Sequence, residues 1–194
     1  MWYLLILLLA GLAAPSPVWA GNIADGKAKA QACALCHGTK GVSSKSDVPS
    51  LAGQPDPFLE WQLVYFRAGT RQSPLMTPIS EALSDTDVQN LGAYFASLPP
   101  PRPAAGKLDP ELMAMGVKVT QKFRCGACHQ RNFAGLEQAS RLASQHEEYL
   151  LKSLREFKSG VRRGGGGESP MPGIAFEMTD EEMKAVAYYL AHHP

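Results

Sequence analysis

The sequence lacks a charge imbalance, a second long apolar run and any strand-like alternation, and each absence excludes a class of protein. Its 194 residues carry 19 basic and 18 acidic side chains, a balance that does not indicate nucleic-acid binding. Beyond the N-terminal segment, no apolar run is long enough to span a membrane. No stretch alternates apolar and polar residues between hairpin signals, so an all-α fold is predicted.

The N-terminus also lacks a feature, because no Lys or Arg precedes its apolar run from Trp2 to about Ala14. The run is shorter than the ~20 residues of a membrane-spanning helix, and prolines and a small-residue ending at Ala20 follow it. We interpret residues 1–20 as a signal peptide that is cleaved after Ala20. An uncleaved anchor is the alternative. Cleavage would leave the mature chain in an exported, oxidising compartment.

Cysteines are scarce, and all four lie in two copies of one motif. Residues Cys33–His37 and Cys125–His129 both read Cys-x-x-Cys-His, the attachment pattern of c-type haem. Residues three apart share one face of a helical turn, so two thiols can bond one porphyrin edge while the next residue places an imidazole under the iron. Two local disulfides or two thioredoxin-like redox pairs are the alternatives, although the βαβ context of a thioredoxin is not visible. Two copies that use every cysteine favour covalent haem, attached through Cys33, Cys36, Cys125 and Cys128.

The chain consists of one unit repeated. Residues 50–71 align with residues 141–162 in constant register, and the matches include Gln54 with Gln145 and Arg71 with Arg162. After a four-residue expansion around Gly164–Gly167, the last helix of each unit also aligns. A proline-rich stretch lies between the copies and favours an extended spacer. The predicted organisation is a first domain, a linker and a second domain, at residues 21–98, 99–106 and 107–194.

Each unit is predicted to be helical, with three helices around one haem. Asp56 is predicted as the N-cap of a helix that has Pro57 in its first turn and ends at Gly69. Asp109 and Pro110 are expected to begin the opening helix of the second unit. Three capping boxes are predicted, at Ser84–Asp87, Ser144–Glu147 and Thr179–Glu182.

The second axial ligand of each iron separates an electron carrier from a reactive centre. Within residues 21–98 the sole histidine is His37 and the sole methionine is Met76, which lies in a proline-flanked loop. Met171 occupies the corresponding loop of the second unit, and we predict it as the ligand there, with His146 as the alternative. Met178 and Met183 are assigned to the core of the second unit. The terminal His192 and His193 are assigned to solvent. The predicted axial pairs are His37 with Met76 and His129 with Met171.

The sequence resembles the di-haem cytochrome c4 family, in which two class I cytochrome c domains are fused in one exported chain. The resemblance is carried by "GKAKAQACALCHGTKG", "PSLAGQ", "FRAGTR", "LMTPI" and the final-helix "LSDTDVQNLGAYFASLP". It implies two covalently bound haem c groups and an electron carrier in the bacterial periplasm that delivers electrons toward a terminal oxidase. It also implies that the carbonyl of Pro49 accepts the proximal histidine's hydrogen bond. The second unit departs from this pattern, because Ser140 stands opposite Pro49 and the glycines after His37 have no counterpart after His129.

Several functions are compatible with two haems. The main hypothesis is a non-enzymatic carrier, soluble or peripherally membrane-bound, whose partners are redox proteins such as an oxidase or a quinol-oxidising complex. An electron-accepting subunit of a periplasmic dehydrogenase is the alternative. A di-haem peroxidase would need an iron with an open position, and a methionine for each haem argues against it. The basic stretch 152–163 is interpreted as a solvated helix face whose arginines pair with haem propionates, and a partner-docking face is the second interpretation.

Overall fold

The computed structural model describes residues 21–163 and 169–194. Over these residues the protein is helical, as predicted, and contains no β-strand. Among the described residues, each half holds five α-helices where the sequence indicated three, because short helices carry the attachment motifs and the predicted methionine ligands. The first half contains a 3₁₀ turn, Ala30–Cys33, and helices α1 (Ile23–Lys29), α2 (Ala34–His37), α3 (Asp56–Arg67), α4 (Met76–Glu81) and α5 (Asp85–Ala96). The second half contains α6 (Pro110–Lys122), α7 (Gly126–His129), α8 (Glu147–Lys158), α9 (Met171–Glu177) and α10 (Asp180–His192).

The first and last helices of each half pack together, α1 on α5 and α6 on α10. A glycine allows the close approach in both places. A Cβ on Gly26 would lie 1.9 Å from the Asn90 carbonyl oxygen, and a Cβ on Gly116 would lie 2.3 Å from the Cβ of Tyr189. The apolar core of the first half consists of Ala30, Leu59, Leu91, Tyr94 and Phe95. That of the second half consists of Val119, Phe133, Ala143, Leu150, Met178, Met183, Val186, Ala187 and Leu190.

Two of the three predicted capping boxes are confirmed. The hydroxyl of Ser84 accepts from the backbone N–H of Asp87, and that of Thr179 accepts from the backbone N–H of Glu182, with both carboxylates bonding back. The prediction at Ser144 is wrong. Ser144 has a φ of +61° and its hydroxyl donates to the carbonyl of His193, so it closes a tertiary contact instead of capping α8.

The other helix starts agree with the sequence to within one residue. Asp109 caps α6 as predicted, by accepting from the N–H groups of Glu111 and Leu112. Asp56, in contrast, is the first residue of α3 and not its cap, because the extended Pro55 precedes the helix. The two terminal histidines, which were assigned to solvent, are partly buried, and His193 packs edge-on against Phe133.

The prediction of a core position for Met178 and Met183 is confirmed, as their side chains are 3% and 1% exposed. Residues 97–109 connect the halves without a helix, and Ala104 in this segment donates to the carbonyl of Ala191. The domain boundaries drawn from the sequence stay predictions. The predicted signal peptide, residues 1–20, and the Gly164–Gly167 expansion lie outside the described residues. No helix within the described ranges is long and apolar enough to cross a membrane.

The halves meet across an interface in which repeat-related residues occupy related places. The backbones of Arg71 and Arg162, which are equivalent in the repeat, form an antiparallel β-bridge with each other. A residue that bonds to its own repeat equivalent lies near an axis of approximate two-fold symmetry, so such an axis relates the halves. At the edge of the interface, the backbone N–H of Tyr149 donates to the carbonyl of Ser46 over 3.1 Å.

Candidate cofactor sites

The four cysteines lie where short helices begin and end. Cys33 immediately precedes α2 and Cys36 lies one turn later, while Cys125 and Cys128 take the same places at α7. None of the four forms a disulfide with another described cysteine. Burial raises the pKa of Cys33 and of Cys125, and the neighbouring cysteine raises each further. A redox-active dithiol requires a lowered thiol pKa, so the thioredoxin-like alternative is not supported.

The histidine of each motif is buried and fixed in orientation. His37 Nδ1 lies 2.8 Å from the carbonyl oxygen of Pro49, and His129 Nδ1 lies 2.7 Å from that of Ser140. A carbonyl oxygen can only accept, so Nδ1 carries the proton in both rings and Nε2 keeps its lone pair for a metal. Both imidazoles are therefore held in the tautomer that a haem iron requires.

The electrostatic surroundings keep both rings neutral. Burial lowers the pKa of His37 and of His129, and the hydrogen bonds to Pro49 and Ser140 act in the opposite direction. Because a ligating imidazole must be deprotonated at the bonding nitrogen, a lowered pKa favours iron binding at neutral pH.

The predicted methionine ligands occupy equivalent places in the two halves. Met76 is the first residue of α4 and Met171 the first residue of α9, and each is partly buried. A serine hydroxyl just upstream accepts from each methionine's backbone N–H, Ser73 at 3.1 Å and Ser169 at 3.3 Å. Helices α4 and α9 pack on α3 and α8, respectively, so the two halves present their methionines in the same way. Ligation by Met76 and Met171 stays a prediction.

The alternative ligand His146 is engaged elsewhere. It directly precedes α8, and its Nε2 donates to the backbone carbonyl of Ser43 in the other half over 2.9 Å. Because Ser43 can only accept through that oxygen, the proton sits on Nε2, and this nitrogen is not available to a metal. This contact argues for Met171 over His146 as the second ligand.

Two arginines form a cationic cluster at the interface of the halves. Arg71 and Arg162 both donate to the side-chain oxygen of Gln62, over 2.6 and 3.2 Å. Their guanidinium groups lie 4.5 Å from the ring centres of Phe66 and Phe157. Among the described residues neither arginine forms an ion pair, and Nε of Arg162 is buried without a hydrogen-bond partner.

No described carboxylate forms an ion pair with this cluster, although the charge of Glu156 acts on Arg162 and raises its pKa. Burial and the charge of Arg71 lower the pKa of Arg162 to about 10, so it stays positive at neutral pH. Burial alone would raise the pKa of Tyr149, but the two arginine charges and the hydrogen bond from Arg71 lower it to about 7. Buried guanidinium groups with unused donors bind carboxylates strongly, and the two propionates of a haem are carboxylates. The residues present therefore fit haem at both ends: thiols and imidazole at one, guanidinium groups at the other.

The sequence pointed to the attachment and axial residues but not to the residues that join the halves. Gln54, Gln145, Arg71 and Arg162 were visible as repeated polar matches, and no role followed from the pattern alone. Polar residues that recur at the same register of a repeat are the signal that could have identified them.

Comparisons with known proteins agree with this arrangement. The family model for cytochrome c matches residues 113–194, and the model for cytochrome c oxidase, cbb3-type, subunit III matches residues 22–95. The chain is 34% identical to cytochrome c4 of Pseudomonas aeruginosa over 96% of this chain and 94% of that protein. It is 32% identical to the thiosulfate dehydrogenase electron acceptor of Stutzerimonas stutzeri, over 84% of this chain and 79% of that one.

The fold has a close counterpart among solved structures. The crystal structure of reduced recombinant cytochrome c4 from Pseudomonas stutzeri superposes with a TM-score of 0.81 at 30% identity, over 90% of this chain and 100% of that one. The prediction of an all-α fold with two tandem cytochrome c-like domains is confirmed by these matches.

Proposed function

Because the chain belongs to the cytochrome c4 family, we propose that it is an electron carrier of a periplasmic respiratory chain that delivers electrons toward a terminal oxidase. Membership implies two covalently attached haem c groups, and the two Cys-x-x-Cys-His motifs fit them. Bound haem supplies a one-electron ferric–ferrous couple, and the chain's own residues supply attachment, ligation and burial.

The observation that carries the proposal is the identical fixing of two histidines. Each is buried, neutral and held through Nδ1 by a backbone carbonyl of its own half. Rigid ligands change little between two oxidation states, and this lowers the energy needed to move an electron. A methionine on the opposite side would leave no open position for oxygen or peroxide, which favours a carrier over a peroxidase.

An electron-accepting partner of a dehydrogenase is the second candidate, and the similarity to a thiosulfate dehydrogenase electron acceptor favours it. Both candidates use the same chemistry and differ in the electron donor. The basic stretch 152–163 does not select between them, because several of its cations are bound within the protein. Arg155 pairs with Asp180, and the ammonium group of Lys158 bonds to the carbonyl of Met178.

Export to the periplasm is part of the proposal and is supported by the apolar N-terminus with its small-residue ending. N-terminal sequencing of protein from a periplasmic extract should begin at Gly21. A protein that begins at Met1 and stays with the membrane would support the anchor instead.

The function is tested on the exported full chain. Intact-mass analysis should show two added haems, and a redox titration should show two one-electron steps. The reduced protein should be reoxidised rapidly by membranes that contain a terminal oxidase and should not turn over hydrogen peroxide. The second candidate would be favoured if a purified thiosulfate dehydrogenase with thiosulfate reduced the protein rapidly and the reduced protein did not react with the oxidase. One haem or none would contradict both.

A further inference from the structure

Two buried glutamines connect the halves in a reciprocal way. Gln145 of the second half accepts from the backbone N–H of Ser50 through Oε1 and donates to the carbonyl of Ser50 through Nε2, both over 2.9 Å. Gln54 of the first half makes the same pair of bonds to Arg141, over 2.9 and 3.0 Å. The glutamines are equivalent in the repeat, and so are the two residues they bind.

Each glutamine binds the same peptide group that holds a proximal histidine. The carbonyl of Pro49 and the N–H of Ser50 belong to one peptide group; the carbonyl accepts from His37 Nδ1 and the N–H donates to Gln145. In the second half, the carbonyl of Ser140 accepts from His129 Nδ1, and the N–H of Arg141 in the same peptide group donates to Gln54. A single amide therefore links each histidine to a side chain of the opposite half.

Such a chain of hydrogen bonds transmits electronic polarisation from the glutamine, through the amide, to the histidine. When the N–H of an amide donates, its carbonyl oxygen becomes more negative and accepts more strongly, and a buried site enhances this polarisation. A stronger acceptor at Nδ1 makes the imidazole a more basic ligand. A more basic ligand stabilises the ferric state and lowers the reduction potential.

We propose that Gln145 and Gln54 are positioning residues that tune the reduction potential of the opposite half: Gln145 acts on the haem bound by His37, and Gln54 on the haem bound by His129. Each half thus lowers the potential of its neighbour's iron by docking against it. The inference rests on the proposed function in that both halves must carry haem.

The test is a redox titration of the full-length holoprotein, with the two haems distinguished by NMR signals of their ligands. Gln145→Leu removes the acceptor for the Ser50 N–H without changing charge. We expect a positive shift in the potential of the first-half haem, an upfield shift of the His37 Nδ1–H signal in the reduced protein, and no change at the second haem. Gln54→Leu should give the mirror result, with both shifts at His129 and its haem.

Ser46→Ala is the matched control. Its hydroxyl also bonds across the interface, to the carboxylate of Glu148, but it does not touch the Pro49–Ser50 peptide group. We expect it to leave both potentials and both Nδ1–H signals unchanged. Equal shifts in this control would show that docking of the halves in general changes the reduction potential, and they would overturn the proposed effect of the glutamines.

Gln145→Glu keeps the test decisive if Gln145→Leu does not fold. A carboxylate accepts more strongly than an amide oxygen. It should lower the first-half potential and move the His37 Nδ1–H signal downfield, opposite to the effect of Leu. The proposal would be overturned by shifts confined to the half that contains the mutated residue, by equal shifts at both haems, or by no shift at all. A parent protein without two redox steps would instead refute the proposed function, so the two failures are distinguishable.

Discussion

At the scale of single residues, the two halves reach one backbone conformation with different amino acids. The residue after each attachment motif has a positive φ, +81° at Gly38 and +65° at Gln130, with ψ angles of 151° and 162°. This region of backbone space is almost restricted to glycine and costs a non-glycine residue about 1–3 kcal/mol. The second unit lacks these glycines, so the backbone after its attachment motif adopts the same conformation as in the first unit but is strained at Gln130.

Replacing Gln130 with glycine should relieve that strain. We expect Gln130→Gly to raise the free energy of unfolding by about 1 kcal/mol, since glycine's greater freedom in the unfolded chain offsets part of the gain. Denaturant titration followed by circular dichroism measures the change. Gly38→Ala is the reciprocal control and should destabilise, because its Cβ would lie 2.0 Å from the carbonyl oxygen of Val42. A Gln130→Gly protein less stable than its parent would contradict the assignment of strain.

The methionine ligands also belong to the residue scale. Met171→Ala should abolish one of two sulfur-to-iron absorption features and lower one of two potentials, because a thioether ligand favours ferrous iron. Visible spectroscopy with a redox titration measures both.

Met178→Leu is the control for this substitution, since Met178 is a buried core residue and the exchange nearly conserves volume. It should leave the spectrum unchanged. If Met171→Ala were silent and His146→Ala removed the feature, the second ligand pair would be wrong.

At the scale of helices, the capping boxes of α5 and α10 are linked to ion pairs with the first helix of each half. Asp87 bonds Lys29 of α1 over 2.9 Å, and Glu182 bonds Lys122 of α6 over 2.6 Å. These lysine contacts and the Ser84 and Thr179 caps lower the pKa of Asp87 below its usual 3.8 and that of Glu182 below its usual 4.5. In each half, one carboxylate thus stabilises both the start of the last helix and its contact with the first helix.

The sign of the pH dependence follows from these lowered pKa values. A carboxylate with a lowered pKa stabilises the fold above its unfolded pKa, and the contribution is lost as the pH falls through the folded pKa. We expect Asp87→Asn to lower the free energy of unfolding by about 1 kcal/mol at neutral pH and by progressively less below pH of about 4. Denaturant titrations across this pH range measure the difference. Asp47→Asn, at an exposed loop aspartate, should change little at any pH; a pH-independent effect of Asp87→Asn would exclude the ionic contribution.

At the scale of the whole molecule, the interface gathers positive charge from both halves. Arg162 of the second half donates to Gln62 of the first, which also accepts from Arg71. A buried cation stabilises the reduced state of a nearby haem, because reduction adds an electron. At an effective permittivity of about 20, a unit charge about 15 Å away contributes roughly 1 kcal/mol.

Arg162→Leu should therefore lower a haem potential. We expect a negative shift in at least one of the two steps of a spectroelectrochemical titration. The matched control is Arg163→Leu, at an exposed neighbour whose charge is screened by solvent, and it should leave both steps nearly unchanged. Equal shifts in the two variants would show that net charge, and not the buried cluster, sets the potential.

Sequence alone determined the features that depend on residues close together in the chain. The cofactor was predicted by the spacing within Cys33–His37 and Cys125–His129. Most helix starts were predicted by capping residues such as Ser84 and Thr179, and the tandem fold was predicted by the repeat. These features rest on contacts within one helical turn or on covalent attachment, so local spacing is sufficient. The error at Ser144 has a long-range cause, because its hydroxyl bonds to the backbone carbonyl of His193 across 49 positions.

The contacts through which the halves act on one another became visible in the folded protein and not in its sequence. The bonds of Gln145 to Ser50 and of Gln54 to Arg141 span 95 and 87 residues. Nothing in their local sequence indicates which backbone group a glutamine will reach, because that depends on how two folded surfaces dock. The acceptor at Ser140 is a similar case: a backbone carbonyl serves the histidine whatever side chain its residue carries, so a substitution visible in the sequence left the hydrogen bond intact.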